Sequence, residues 1–176
     1  MTTHQSLILD QFTRQATPFS TAAPIADAAA LRLLVDAAEP RPDDAMLDVA
    51  CGGGIVVCAF APHLRRATGI DMTPAMLDRA RALAAEKGIA NADWRQGDVT
   101  ALPYPDAAFD IVTTRFAVHH FPDPAKVFGE IVRVCKPGGG IVVADTYASA
   151  DPVKAAAFNR LEQLRDPSHA RCLALS

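Results

Sequence analysis

No stretch of the 176 residues approaches the ~20 consecutive apolar positions needed to span a membrane. No run of Lys and Arg breaks the charge mixture, and Arg65-Arg66 is its densest basic pair. With a formal net charge of -3, the chain lacks the electrostatic footprint of a nucleic-acid or anionic-surface binder. A small or neutral ligand fits better. The four cysteines, Cys51, Cys58, Cys135 and Cys172, form no C-x-x-C pair and no Cys/His cluster with zinc spacing. No metal site is expected. Met1-Thr2-Thr3-His4-Gln5-Ser6 lacks a basic start, and Leu7-Ile8-Leu9 is too short for the apolar region of a secretory leader. A reduced, cytoplasmic setting is the expectation. No G-x-S-x-G elbow is present, so a hydrolase triad has no support.

Hydrophobic residues make up 50% of the chain and charged residues 21%, as in an ordinary globular domain. Ile8 and Phe12, with Leu7, Gln11 and Gln15, recur at helical spacing, and Thr17-Pro18 and Ala23-Pro24 are expected to break that helix. A second helix is predicted from Ile25 to Ala38. Strands then read at 45–50, 67–70, 92–96, 109–113 and 141–144, the first short and apolar as buried parallel strands are and the third carrying a weaker signal. Helices are predicted between most of them, with Thr73-Pro74, Asp123-Pro124 and Asp151-Pro152 as starts. Pro103, Pro105 and Asp106 mark a loop, and Lys136-Pro137-Gly138-Gly139-Gly140 a sharp turn. This β-α alternation demands parallel strands with right-handed crossovers. The expected fold is α/β, a Rossmann-like doubly wound sheet.

The densest functional signal is Leu47-Asp48-Val49-Ala50-Cys51-Gly52-Gly53-Gly54, with Gly69-Ile70-Asp71 closing the next strand. Glycines after a strand let backbone approach a ligand, and an acid ending the second strand can hold ribose hydroxyls. The dinucleotide pattern G-x-G-x-x-G/A is matched at Gly52 and Gly54 but ends on Val57. Asp48, beside the loop, would repel a pyrophosphate. It suits a cationic, phosphate-free ligand such as S-adenosylmethionine, which carries an ammonium and a sulfonium. Asp98, in Gly97-Asp98-Val99, ends the third strand. The three acids can meet one elongated ligand: Asp48 at its amino-acid end, Asp71 at the ribose, Asp98 at the adenine amine.

These segments resemble class I S-adenosylmethionine-dependent methyltransferases of the ubiquinone/menaquinone-biosynthesis type. So do Met72-Thr73-Pro74-Ala75-Met76-Leu77, Leu102-Pro103-Tyr104-Pro105-Asp106, Phe109-Asp110-Ile111-Val112, His119-His120-Phe121 and Lys136-Pro137-Gly138-Gly139. The likeness covers roughly residues 24–146. It implies transfer of a methyl group to a small molecule by direct displacement. It also implies a methionine end lined by Asp48, Ala50, Gly52 and Gly54, a ribose on Asp71, and an adenine packed on Met72 and edged by Asp98 and Val99. Met76 joins the cofactor set, and Arg115 and Phe116 would close the floor beneath the sulfonium. Ala50 stands where the family more often has a glycine. The family's sheet has order 3-2-1-4-5-7-6, so the order 3-2-1-4-5 is expected here. Strands 6 and 7 have no counterpart in the sequence. The chain therefore reads as C-terminally shortened, with its fifth strand an open edge on which a second copy could pair.

His119 and His120 are weak candidates for a general base. Adjacent residues point different ways, which disfavours both ligating one metal ion with Asp123. Residues 1–23, carrying Phe12 and Phe19, read as a helical lid over a cofactor domain at 24–176. Two other functions compete: an NAD(P)-dependent oxidoreductase, disfavoured by Val57 and Asp48, and a non-catalytic cofactor-binding module.

Overall fold

A computed structural model of the chain describes residues 3–21, 23 and 25–174. Five strands form one parallel sheet: β1 (Ala45–Val49), β2 (Arg66–Asp71), β3 (Ala92–Gln96), β4 (Phe109–Arg115) and β5 (Cys135–Ala144). Their order is β3-β2-β1-β4-β5, so the chain reverses direction across the sheet between β1 and β4. In sheets of this kind that reversal opens a crevice at the carboxyl ends of the strands, where ligands bind. Its edges are set by Asp48 opposite Gly69 on one side and opposite Thr113 on the other.

The helices are α1 (Thr3–Thr21), α2 (Ala28–Ala38), α3 (Ile55–Phe60), α4 (Pro74–Glu86), α5 (Pro124–Val134) and α6 (Pro152–Arg165). They cover both faces of the sheet because β1 is buried on both. Met46 packs with Leu34 and Val35 of α2, Val57 and Phe60 of α3 and Leu77 of α4. Its neighbours Leu47 and Val49 point the other way, into a cluster with Val127, Ile131 and Val134 of α5. Each such large side chain contributes about 1.5–3 kcal/mol on leaving water. None of the helices among the described residues is long and apolar enough to cross a membrane.

Several expected boundaries shift. Pro18 lies inside α1 rather than ending it, and the helix runs on to Thr21. A proline so near the C-terminus removes one backbone donor without leaving a long helix to distort. Pro24 lies outside the described residues, as does the Phe19 side chain. α2 starts at Ala28, not Ile25, because the Asp27 carboxylate accepts from Ala29 N at 2.9 Å and caps the helix there. β1 stops at Val49, since Ala50 adopts a left-handed backbone with φ 57°. β2 gains Arg66 and Asp71, and β4 runs two residues further, to Arg115. The expected turn at 136–140 is instead a bulge within β5: Phe109 faces Cys135, yet Ile111 faces Gly140. The connection from β3 to β4 carries no helix, so the regular alternation fails at that one crossover. All four cysteines are free and buried.

Candidate functional site

One cavity of about 400 Å³ sits at the carboxyl ends of β1, β2 and β4, where the chain reverses. Asp48, Ala50, Gly52, Asp71, Met72, Met76, Asp98, Val99, Arg115, Phe116 and His120 all line it. Gly54 and His119 do not.

Asp48 is 2% exposed. Its hydrogen-bond donor is neutral: Thr113 Oγ1 donates to Oδ1 at 2.7 Å. Burial pushes the Asp48 carboxyl up to about 7; the Thr113 bond pulls the other way, the nearby Asp71 charge adds to the rise, and Arg115 opposes it. Arg115 Nη1 donates to the Ile25 carbonyl at 2.8 Å, and its guanidinium lies 4.6 Å over the Phe116 ring. Burial lowers the Arg115 pKa, against the pull of Asp27 and Asp48. The site thus holds a buried acid whose hydrogen-bond donor is a neutral hydroxyl.

Asp71 is braced by backbone. Gly52 N donates to Oδ2 and Thr73 N to Oδ1, each at 2.8 Å. The carboxylate therefore ties the glycine loop to the start of α4, and Thr73 itself makes no capping bond. Each oxygen retains acceptor capacity beyond these bonds. Burial raises the Asp71 pKa, and the bonds from Thr73 and Gly52 restrain the rise. Gly52 sits at φ 50°, which aims its N–H at Asp71. Gly54, at φ 78°, caps α3, and a Cβ there would come within 2.5 Å of Trp94 Cη2 and 2.7 Å of Ala80 Cβ. The missing side chain lets α3 pack closely against Trp94 of β3 and Ala80 of α4.

Asp98 uses Oδ1 to accept from Thr100 N and Thr100 Oγ1, both at 2.8 Å. Its Oδ2 accepts from Gln5 Nε2 of α1 at 2.9 Å. The sequence reasoning passed over Gln5, though it shares a helical face with Ile8 and Phe12, three and seven residues on. All three line the cavity with His4. Trp94 and Thr113 were also passed over, because their importance depends on strand register.

The two histidines diverge. His119 Nδ1 lies 2.5 Å from Asp145 Oδ1, and its backbone N–H donates to Asp145 Oδ2 at 3.2 Å. Burial works against the Asp145 charge, but the bond and charge of His119 outweigh it and hold that carboxyl below its ordinary range. His120 instead turns to Ser168. Asp123 caps α5 by accepting from Lys126 N. No group of three His, Cys, Asp or Glu among the described residues could hold a metal ion.

This architecture is that of a Rossmann-like methyltransferase domain. The family model described as "Methyltransferase domain" matches residues 47–143, and the chain belongs to that family. The chain is 39% identical over 165 residues to the uncharacterized methyltransferase YcgJ of Bacillus subtilis (strain 168), covering 94% of this chain and 65% of the relative. It is 36% identical over 118 residues to the ubiquinone/menaquinone biosynthesis C-methyltransferase UbiE of Ruegeria sp. (strain TM1040), covering 64% of this chain and 46% of the relative. The crystal structure of the B. subtilis YcgJ protein superposes with a TM-score of 0.81 at 41% identity, over 84% of this chain and 63% of that one. The chain thus spans about half to two thirds of the length of these relatives.

Proposed function

We propose that this chain binds S-adenosylmethionine and transfers its methyl group to a small molecule by direct displacement. The observation that carries the reading is the placing of three acids, Asp48, Asp71 and Asp98, at the ends of β1, β2 and β3, all lining one cavity. The buried carboxyl of Asp48, pushed up to about 7 by desolvation, suits the positive end of this ligand. When bound, S-adenosylmethionine supplies a methyl group made electrophilic by its sulfonium.

The chain's own residues then hold and align. Asp48 faces the amino-acid end, with Ala50 and Gly52 beside it. Gly54 supports that loop from behind. Asp71 takes the ribose hydroxyls, Met72 and Met76 pack near the adenine, and Asp98 with Val99 meets its edge. Arg115 and Phe116 close the floor. Residues 1–23 act as the lid over the domain at 24–176, with His4, Gln5, Ile8 and Phe12 of α1 facing the cavity. Holding nucleophile and methyl in line can supply roughly 7–11 kcal/mol of the barrier in favourable cases. No Lys/Arg run supports a nucleic-acid substrate, and relatives include UbiE and a 2-phytyl-1,4-naphtoquinone methyltransferase of Synechococcus elongatus, so a diffusible small acceptor in the cytoplasm is the fitting partner. The open β5 edge, where Ile141 and Val143 are exposed, is the surface for a homodimer. Sedimentation that finds only monomer removes that part.

Thermal shift and calorimetry with S-adenosylmethionine, S-adenosylhomocysteine and NADH test the reading. Binding of the first two is expected. Selective stabilisation by NADH would establish the oxidoreductase instead. Cofactor binding by a full-length relative that turns over no acceptor would leave the non-catalytic module.

A further inference from the structure

We propose that His120 is the polar selection point on the acceptor side of the cavity, its Nε2 lone pair taking a hydrogen bond from a hydroxyl or amine on the molecule to be methylated. The assignment rests on the methyltransferase reading above. His120 ends a 3-10 turn (Val118–His120) that follows β4, and the residue lines the cavity. Its Nδ1 lies 3.0 Å from the Ser168 carbonyl oxygen. A carbonyl only accepts, so in the neutral ring the proton sits on Nδ1. Ser168 Oγ, 3.2 Å from the same nitrogen, donates its own proton to Asp166 Oδ1 at 2.6 Å and turns lone pairs toward Nδ1. Both contacts demand the same tautomer, which leaves Nε2 as a bare acceptor. Among the described residues Nε2 has no hydrogen-bond partner.

The ring is held in this pose. Phe12 meets it edge-on at 5.0 Å, and His4 Nε2 lies 2.8 Å from the His120 carbonyl. Its titratable neighbours are His119 at 4.2 Å and His169 at 6.5 Å between ring centroids, with Asp166 behind Ser168. Lys126 and Asp123 line the same cavity. Burial, reinforced by His119, holds the His120 pKa well below the ordinary imidazole value. A ring that resists protonation is a poor proton store but a steady acceptor. His120 therefore orients the acceptor and reads its donor group. An aprotic molecule of the same shape leaves Nε2 unsatisfied, which corresponds to about 10–100-fold weaker binding.

The test uses the uniformly 15N-labelled 176-residue chain, with phenol as the hydroxyl probe and anisole as its aprotic counterpart. Long-range proton–nitrogen correlation is expected to show His120 protonated at Nδ1 and bare at Nε2. Phenol is expected to shift the Nε2 resonance and to bind about tenfold or more tighter than anisole. In His120→Phe the preference should vanish. An Nε2-protonated tautomer, equal binding of the two probes, or an Nε2 resonance indifferent to phenol each overturns the proposal. If His120→Phe does not fold, the wild-type tautomer and probe results decide alone. Calorimetry with S-adenosylhomocysteine on the same sample judges the methyltransferase reading separately, since neither the tautomer nor the phenol measurement requires that ligand.

Discussion

Asp48 and Thr113 stand opposite each other across the β1–β4 pair, and the Thr113 hydroxyl donates to Asp48 Oδ1 at 2.7 Å. That bond favours the charged carboxylate, yet burial prevails and the carboxyl titrates at about 7 against an ordinary 3.8. The folded state therefore keeps a proton that the unfolded chain has lost. This group's stabilising contribution is complete below the unfolded value and is lost as pH rises through about 7. Between about pH 5 and pH 8, Asp48→Asn should lose about 2–3 kcal/mol less stability than the parent. Denaturant titrations of both proteins at the two pH values measure the difference. A parallel loss would mean that Asp48 does not carry the slope.

The same acid links pH to ligand binding. A cationic ligand beside Asp48 drives it to the carboxylate, so binding of S-adenosylmethionine at about pH 6 should release up to one proton. The release should fade above about pH 8, where the unliganded acid is already charged. Calorimetry in buffers of different ionisation enthalpy counts that proton. Asp48→Asn should abolish the release and weaken binding.

Asp71 braces the glycine loop and, in the proposed reading, also takes the ribose hydroxyls. Its oxygens accept from Gly52 N and Thr73 N, so Asp71→Ala loses the brace of the glycine loop together with the proposed ribose contact. Affinity for S-adenosylhomocysteine should fall roughly 10–1000-fold, as expected for one or two charge-assisted hydrogen bonds. Unchanged affinity by calorimetry would reject the ribose role.

Gln5 Nε2 holds the Asp98 oxygen that the adenine amine would need. Gln5→Glu sets like charges against each other and should lift the start of α1, seen as faster amide exchange over residues 4–12. Gln5→Ala should leave S-adenosylhomocysteine affinity unchanged or raise it a few-fold, because no contact must then be broken. A large loss would show that Gln5 assists the ligand rather than standing in its place.

Gly54→Ala adds a Cβ where Trp94 Cη2 is 2.5 Å away and the backbone is left-handed. The ring and the Ala80 methyl are both held in packed elements, so relief requires α3 to move. A loss of about 2–4 kcal/mol is expected, read as a lowered melting temperature.

Much of the fold was legible because parallel strands covered on both faces read as short apolar runs. β3, an edge strand of mixed polarity, is not such a run, yet its bounds at Ala92–Gln96 agree with the reading. Errors fell where local signals compete with tertiary contact. Pro18 looked like a stop but sits in the last turn of α1. The glycine-rich segment at 136–140 looked like a turn, yet β4 captures it as a bulge within β5. The helix-free connection from β3 to β4 agrees with the loop read at Pro103, Pro105 and Asp106, where two prolines in three residues bar a helix.

What the sequence determined by itself is the order of the acids. Asp48, Asp71 and Asp98 fall at or just past successive strands, and parallel strands necessarily present such positions at one end of a sheet. Tertiary structure alone decided what surrounds them: Thr113 beside Asp48 through strand register, Gln5 on Asp98 through the docking of α1, and Ser168 on His120 through the return of the chain after α6. These partners lie 65, 93 and 48 residues away along the chain. Local pattern cannot encode contacts at that separation. They follow from packing, which brings distant segments together and, by excluding water, sets the protonation of Asp48 and of His120.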